Sequence, residues 1–443
     1  MDIKEIRKNL FFSPSLNCII MNKSQSPKFE ELQQVMENDD NDKISAMFAE
    51  PNSNFPVSIS LFTSISCSMK CSYCYYSSGH NRDKDLSLDD LSNVIVFLIK
   101  NAKIRRLMGK PSEIKVTFTG GGEPTFNWKN FTFFVDNLKE KANKDNLQVS
   151  FYLVTNGVLS NNQIDYICKN IDEIQISYDG NSEIQNANRK LVDGSDSAWR
   201  VENTMRYLCQ KKKYFYVRST LLPNYYDKIN EMVHDILGNY NYAVQYDIEP
   251  IQYVGRAHDS KKYGISDNEM FINEFIKTKS EVIKLYPNKS FSCSLFDLKN
   301  VRVPCSSIAG VSPVIDNRGF VFPCSCRLDE NTQRMGQIQD GKIIIEQKSF
   351  YESIYNKILM TECGKCSYFS LCAGGCPFTF LRDDEGNLVG DGKEKCMLLK
   401  KYWEYAFSEL GEKKSFLNLK LVEKKCFKNW IIYQIEEDKP VWE

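Results

Sequence analysis

Between residue 57 and about residue 285 the chain alternates two kinds of pattern. Short runs with apolar side chains at every second position read as strands: Val57-Ile59-Leu61, Ile114-Val116-Phe118, Val149 to Thr155, Ile174 to Tyr178, Tyr214 to Leu221 and Ala243 to Ile251. Longer stretches near 88–108, 127–143, 160–170, 198–212, 223–237 and 266–285 read as helices. Six strand–helix units predict a mainly parallel sheet covered by helices, since parallel neighbours need a crossover. The predicted class is α/β. Right-handed crossovers curl six such units toward a partial (β/α)6 TIM-like barrel, and a doubly wound open sheet is the competing arrangement. Either fold gathers its site at the carboxyl ends of the strands.

The pattern changes on both sides of this block. Residues 1–54 form a small N-terminal extension. In it the apolar runs Leu10-Phe11-Phe12 and Leu16 to Met21 pair as strands, and Ser26-Pro27 opens a helix that runs to Met36. The barrel is assigned to 55–288. From 289 to 400 the strands shorten, turns such as Asn317-Arg318-Gly319 appear and cysteines become dense, which predicts a separate, small, cysteine-rich α+β domain. Residues 401–443 form a helical and strand tail.

Lys plus Arg and Asp plus Glu stand at 57 each, which argues against a general nucleic-acid binder. No apolar run approaches membrane-spanning length, and the first residues lack a secretory pattern. Sixteen cysteines in a chain too long to need stapling point to metal or iron–sulfur ligation in a reducing cytoplasm. Histidine is limited to His80, His234 and His258, with no pair at ligand spacing, so mixed Cys/His metal sites are not expected.

The first constellation is Cys67-Ser-Met-Lys-Cys71-Ser-Tyr-Cys74, a CxxxCxxC placed just after a strand. Three thiolates on an iron–sulfur cube leave one iron open to a small molecule, whereas a pure electron carrier needs four. A zinc knuckle is the structural alternative. At the end of the next strand stands Thr119-Gly120-Gly121-Gly122-Glu123-Pro124. Together the two motifs resemble the radical S-adenosylmethionine (radical SAM) family. The resemblance implies that the open iron takes S-adenosylmethionine, and that cleavage of its sulfonium yields a 5′-deoxyadenosyl radical which removes hydrogen from the substrate. It further implies that Tyr73 walls the cofactor, that Gly121 and Gly122 let the backbone approach it, and that Glu123 accepts from its ammonium. Asn156 belongs to a third family-like motif, Thr155-Asn156-Gly157. Ser177, in Ser177-Tyr178-Asp179-Gly180, would touch the ribose or methionine portion, and Arg189 its carboxylate. Asp247 and Glu249 alternate with apolar residues on the last predicted core strand. If their face points into the barrel they are the catalytic candidates for orienting substrate or accepting a proton; otherwise they are solvated or structural. Arg256, in Gly255-Arg256-Ala257, is open between holding a carboxylate and a structural salt bridge.

The second constellation is Cys305, then Gly319-x4-Cys324, then Cys363-x2-Cys366-x5-Cys372-x3-Cys376, and finally Cys396. It resembles the SPASM extension of radical SAM enzymes, which implies two auxiliary [4Fe–4S] cubes and three in all. Cys363, Cys366, Cys372 and Cys396 would hold one cube. Cys305, Cys324 and Cys376 would hold the other, with Cys293 as the preferred fourth ligand and Cys326 or an open iron as alternatives. A pair of four-cysteine zinc sites is the structural alternative. The resemblance implies a maturase that installs a thioether or carbon–carbon crosslink in a ribosomally made (RiPP) precursor peptide, supplied with electrons by a flavodoxin or ferredoxin. The alternative is an anaerobic sulfatase-maturing, formylglycine-generating enzyme or a related peptide dehydrogenase. Sulfatase maturases usually carry Asp after the cysteine of the GxxxxC unit, and here it is Ser325. Strand addition of a leader peptide to Leu16–Met21 is weighed against ordinary sheet packing of that strand.

Overall fold

A computed structural model of the 443-residue chain describes residues 4–7, 10–13, 18–21, 55–79, 85–252, 255–257, 268–296, 312–325, 334–340, 342–345, 357–366, 368–376, 380, 382–412, 431–434 and 439–440. The chain packs as two units: Asn52–Ser294 with Ser306–Phe350, and Met1–Pro51 with Leu295–Cys305 and Tyr351–Glu443.

The first unit carries the alternating block. Its strands are β1 (Ser58–Leu61), β2 (Ile114–Phe118), β3 (Val149–Thr155), β4 (Glu173–Ser177), β5 (Phe215–Leu221), β6 (Ala243–Pro250) and β7 (Ser290–Ser292). Each pairs in parallel with its sequence neighbour. From β1 to β7 the strand order therefore runs in one direction, without a switch point among these described strands. That is barrel winding rather than double winding, as right-handed crossovers in one direction require. The chain then returns to the other edge: β8 (Val314–Ile315) joins β1 in parallel, and β9 (Phe320–Phe322), β10 (Gly336–Gln339) and β11 (Lys342–Ile345) follow as an antiparallel meander. Strands β7 and β8 escape the pattern reading because three and two residues are too few to show a period.

The helices are α1 (Leu88–Leu107), α2 (Trp128–Lys144), α3 (Asn161–Asn170), α4 (Ser182–Asn188), α5 (Ala198–Gln210), α6 (Ile229–Asn239) and α7 (Asn268–Leu285). Ser87 with Asp90 and Ser160 with Gln163 close capping boxes at α1 and α3, satisfying the first free N–H groups. The predicted helix over 223–237 splits: Pro223–Lys228 is a 3-10 turn, and the α-helix starts at Ile229. The short α4 was not predicted.

The strand alternation has a direct structural meaning. Ile114, Val116 and Phe118 of β2 are buried on the helix side, where Phe118 meets Phe131 at 4.8 Å and Phe151 at 5.8 Å between ring centroids. The residues between them face the opposite way and are polar: Thr117, Gln175, Ser177, Arg218 and Thr220 line an internal cavity. The apolar core thus lies between sheet and helices, and the inner face of the barrel is left to polar chemistry.

In the second unit Leu10–Ser13 pairs antiparallel with Cys18–Met21, Leu10 opposite Met21, as the two apolar runs predict. Cys18–Met21 also pairs in parallel with Ile431–Gln434. Both its edges are taken, and ordinary sheet packing accounts for the segment. The helix expected at 26–36 lies outside the described residues. A long helix, Asp391–Glu412, also belongs to this unit.

Candidate active site

The loop carrying Cys67, Cys71 and Cys74 leaves β1 and is held on one side by the segment after α4. Lys70 N–H donates to Lys190 O at 2.8 Å, Ser72 N–H to Asn188 O at 2.8 Å, and Val192 N–H to Ser68 O at 3.0 Å. This backbone pairing brings Arg189 beside the cysteine loop. On the other side Arg256 donates to Cys71 O, and Arg256 N–H to Cys74 O at 3.0 Å. Arg256 thus braces the loop.

Asp179 sits at the centre, 0 % exposed. It accepts from the Tyr73 hydroxyl, accepts Thr220 N–H at 3.2 Å, and pairs with Arg189 Nε at 3.1 Å. The Arg189 guanidinium also stands 5.3 Å from the Tyr73 ring centroid. Three strand-end motifs are so tied into one buried ionic knot. Asp179, as a site residue, was missed by the sequence reading; its signal was its place in the motif Ser177-Tyr178-Asp179-Gly180, from which only Ser177 was singled out.

The glycines of the turn are closely packed by protein. A Cβ on Gly122 would lie 2.3 Å from Ser66 O and 2.4 Å from Ile65 C, so the turn packs against the chain leading into the cysteine loop. Glu123 N–H donates to the same Ser66 O at 2.9 Å. Gly121, at φ +63°, gives its carbonyl to the Ser78 hydroxyl. The glycines make room for protein, and thereby fix the loop. Gly122→Ala is expected to lower the thermal midpoint by several degrees, matching an overpacking cost of about 1–3 kcal/mol; an unchanged midpoint by calorimetry contradicts this packing.

Glu123 is likewise committed. Its carboxylate accepts from Thr125 N–H (3.1 Å), Thr125 Oγ1 (2.7 Å), Thr155 Oγ1 (2.8 Å) and Asn156 N–H (2.7 Å). Three of these donors converge on Oε1 and one on Oε2, which ties the second strand end to the third and leaves Oε2 with acceptor capacity. Burial raises its pKa while these donors lower it. Asn156 in turn reaches Ser68 Oγ at 3.0 Å and Cys67 Sγ at 3.5 Å.

Above the polar inner face lies a cavity of about 490 Å³. Cys71, Tyr73, Cys74, Ser177 and Arg189 form one wall, Tyr152, Gln175, Arg218 and Glu249 the floor and far side, and Ser325 contributes from the meander side. Its size lies in the range of small-molecule sites. Of the two carboxylates on β6, Glu249 reaches this cavity, paired with Arg218 Nη2 at 3.3 Å and accepting Ser294 N–H at 2.7 Å. Cys293 Sγ stands 4.0 Å from Glu249 Oε2. Asp247, one layer lower, accepts from Gln245 (2.7 Å) and from the Ser292 hydroxyl. The strand β6 is not the last of the core: β7 covers its edge. Tyr152, Gln175 and Arg218 were missed by the sequence reading; their signal was the polar member of each strand alternation.

The thiols answer to burial. Cys67 is pushed up to about 12 and Cys71 to about 11, chiefly by desolvation. Without a cation these sulfurs keep their protons; a positively charged iron–sulfur core is the partner that would displace them. In the second unit, Cys363, Cys366, Cys372 and Cys396 line one cavity, together with Tyr368, Phe380 and Trp403. Burial pushes Cys372 up to about 12. The Trp403 indole N–H is buried with no partner among the described residues. Among those residues no three metal-binding side chains close round a single ion. Four thiols lining one cavity, with an unused donor in a lining residue, are a ligand set that a four-thiolate metal or iron–sulfur centre takes. Cys293 and Cys324 belong to the first unit and Cys376 to the second; Cys305 and Cys326 lie outside the described residues.

A family model described as the Radical SAM superfamily matches residues 61–236, a span that contains the three-cysteine loop, the glycine turn, Asn156, Ser177 and Arg189. A cysteine-type anaerobic sulfatase-maturating enzyme of Clostridium perfringens is 26% identical over 367 residues, covering 78% of this chain and 94% of the relative. Residues 61–236 of this chain form a radical SAM domain. The chain is also similar to the radical SAM cyclopropyl synthase TigE of Paramaledivibacter caminithermalis, 24% identical over 405 residues, 86% of this chain and 76% of the relative. The solved structure "Native anSMEcpe with bound AdoMet and Cp18Cys peptide" superposes with a TM-score of 0.63 at 20% identity, over 80% of this chain and 99% of that chain, a likeness of fold.

Proposed function

We propose that this radical SAM enzyme modifies a peptide, installing a thioether or carbon–carbon crosslink. What supports the reading is the cavity of about 490 Å³ that joins the cysteine loop to a polar floor carrying Glu249 and Arg218. Cys67, Cys71 and Cys74 would hold a [4Fe–4S] cube, and the open edge of the loop faces that cavity. When bound, the cube supplies the electron that splits S-adenosylmethionine and so furnishes the hydrogen-abstracting radical. The protein's part is placement and exclusion of water. Ser177 and Arg189 stand in the wall for the methionine end, Tyr73 offers its ring, and the turn at Gly121 and Gly122 holds the loop through Ser66 and Ser78. Two auxiliary cubes would be held by Cys363, Cys366, Cys372 and Cys396, and by Cys305, Cys324 and Cys376 with Cys293. A flavodoxin- or ferredoxin-like reductant would deliver electrons.

Net oxidation of a substrate also releases a proton, and Glu249 is the carboxylate placed to receive it. Burial pushes its carboxyl above the usual range, with Arg218 opposing. The protonated form thus persists to higher pH than in an ordinary Glu, and the base form fills as pH rises through the raised value. Product formation is expected to climb with pH in that window. Glu249→Gln is expected to reduce it by about 10²–10⁴-fold while S-adenosylmethionine cleavage continues. Wild-type product formation by E249Q contradicts the role.

A second reading, formylglycine formation, is favoured by the 26% identity to a cysteine-type sulfatase-maturating enzyme. Against it stands Ser325 in the cavity wall, where an Asp would be expected. Incubating reduced enzyme with a sulfatase-motif peptide and with a cysteine-bearing precursor peptide separates the two. A precursor that loses two hydrogens and becomes resistant to thiol alkylation supports crosslinking; formylglycine in the sulfatase peptide overturns it.

A further inference from the structure

The four-cysteine cavity of the second unit carries more than its thiols. Arg382 places Nη1 and Nη2 each 3.6 Å from Cys363 Sγ. The guanidinium is not free to leave: Nη1 donates to Gly386 O at 2.6 Å and Nη2 to Gly374 O. Its backbone is pinned by the antiparallel bridge between Arg382 and Leu388. Gly374, at φ +82°, turns its carbonyl into this arrangement. Lys400 lines the same cavity, and among the described lining residues none is acidic. Trp403, 2 % exposed, adds its unpartnered buried N–H.

A metal–sulfur centre gains electrons more readily when N–H donors and positive charge face its ligating sulfurs, because both stabilise the added negative charge. Fixed geometry strengthens the effect, since no reorganisation is needed when the charge changes. Arg suits this position: its planar fork stays charged and gives two donors to one sulfur while two more hydrogen bonds anchor it.

We propose that Arg382, supported by Trp403, raises the reduction potential of the iron–sulfur cube held by Cys363, Cys366, Cys372 and Cys396, biasing it toward accepting an electron. This rests on the auxiliary-cube reading above. Arg382 is a positioning residue that acts through Cys363 and touches no substrate.

The test is an EPR-monitored redox titration of full-length protein reconstituted anaerobically with iron and sulfide. A Cys67→Ala/Cys71→Ala/Cys74→Ala background removes the first cube, so that auxiliary signals stand alone. Arg382→Met is expected to move one auxiliary signal to lower potential with iron content retained. Trp403→Phe, which keeps the ring and removes the N–H, is expected to move the same signal in the same direction by less. Arg382→Lys should recover part of the loss. If R382M and W403F both titrate at the background potential with full iron, the proposal is overturned. Should R382M fail to hold its iron, W403F and R382K decide in the same way. A background protein that binds no iron and shows no auxiliary signal instead overturns the auxiliary-cube reading itself, and the proposal with it.

Discussion

Cys71→Ala is expected to abolish reductive cleavage of S-adenosylmethionine and to lower bound iron by about four per chain, from about twelve. The size of the effect follows from the ligand count. A three-thiolate site has no spare ligand, and among the described residues no histidine or fourth cysteine lies on the loop to substitute. Cys71 is also the position where the surroundings converge: Arg256 donates to its carbonyl, and Arg189 and Tyr73 stand beside it in the cavity wall. The auxiliary cysteines remain in place in this variant, so its residual iron should be about eight per chain. Iron analysis and chromatography of 5′-deoxyadenosine check both numbers. Undiminished cleavage by C71A contradicts the ligand assignment.

Asp179→Asn should be the most damaging substitution outside the cysteines. Asp179 is 0 % exposed, and its charge balances a buried Arg189. Removing one partner of a buried ion pair costs about 3–5 kcal/mol because the other charge is left uncompensated. The thermal midpoint is expected to fall by on the order of 10 °C. The variant also frees the Tyr73 hydroxyl and the Arg189 fork, the two groups placed to frame the methionine end of the cofactor. A KM for S-adenosylmethionine raised more than tenfold is therefore expected in the protein that remains folded. A variant that melts and turns over as the wild type does would show that the buried knot is dispensable.

Much of this was legible in the residues. The alternation over Ile114–Phe118 and Phe215–Leu221 marked strands whose one face is apolar, and the order of units gave parallel pairing. The three-cysteine loop and the glycine turn could be read because their chemistry depends on local spacing. What could not be read depends on contacts far apart in sequence. Glu123 accepts from residues more than thirty positions away, which makes it a brace between two strand ends. Arg256 reaches Cys71 across 185 positions. Glycines in such a turn show only that space is needed, and the space at Gly122 is filled by Ser66 and Ile65. The meaning of Arg218 and Gln175 required knowing that the inner barrel face is open, since a filled barrel would make the same positions structural. The strand at Cys18–Met21 looked available until its second neighbour, Ile431–Gln434, more than four hundred residues later, was in view.

The central claim is that the loop from Cys67 to Cys74 supports homolytic cleavage of S-adenosylmethionine. The most direct measurement is anaerobic incubation of the iron-loaded protein with S-adenosylmethionine and dithionite, followed by quantification of 5′-deoxyadenosine and methionine. The account predicts both products in equal amounts, dependent on reductant and lost in C71A. Fully iron-loaded protein that releases neither would contradict it.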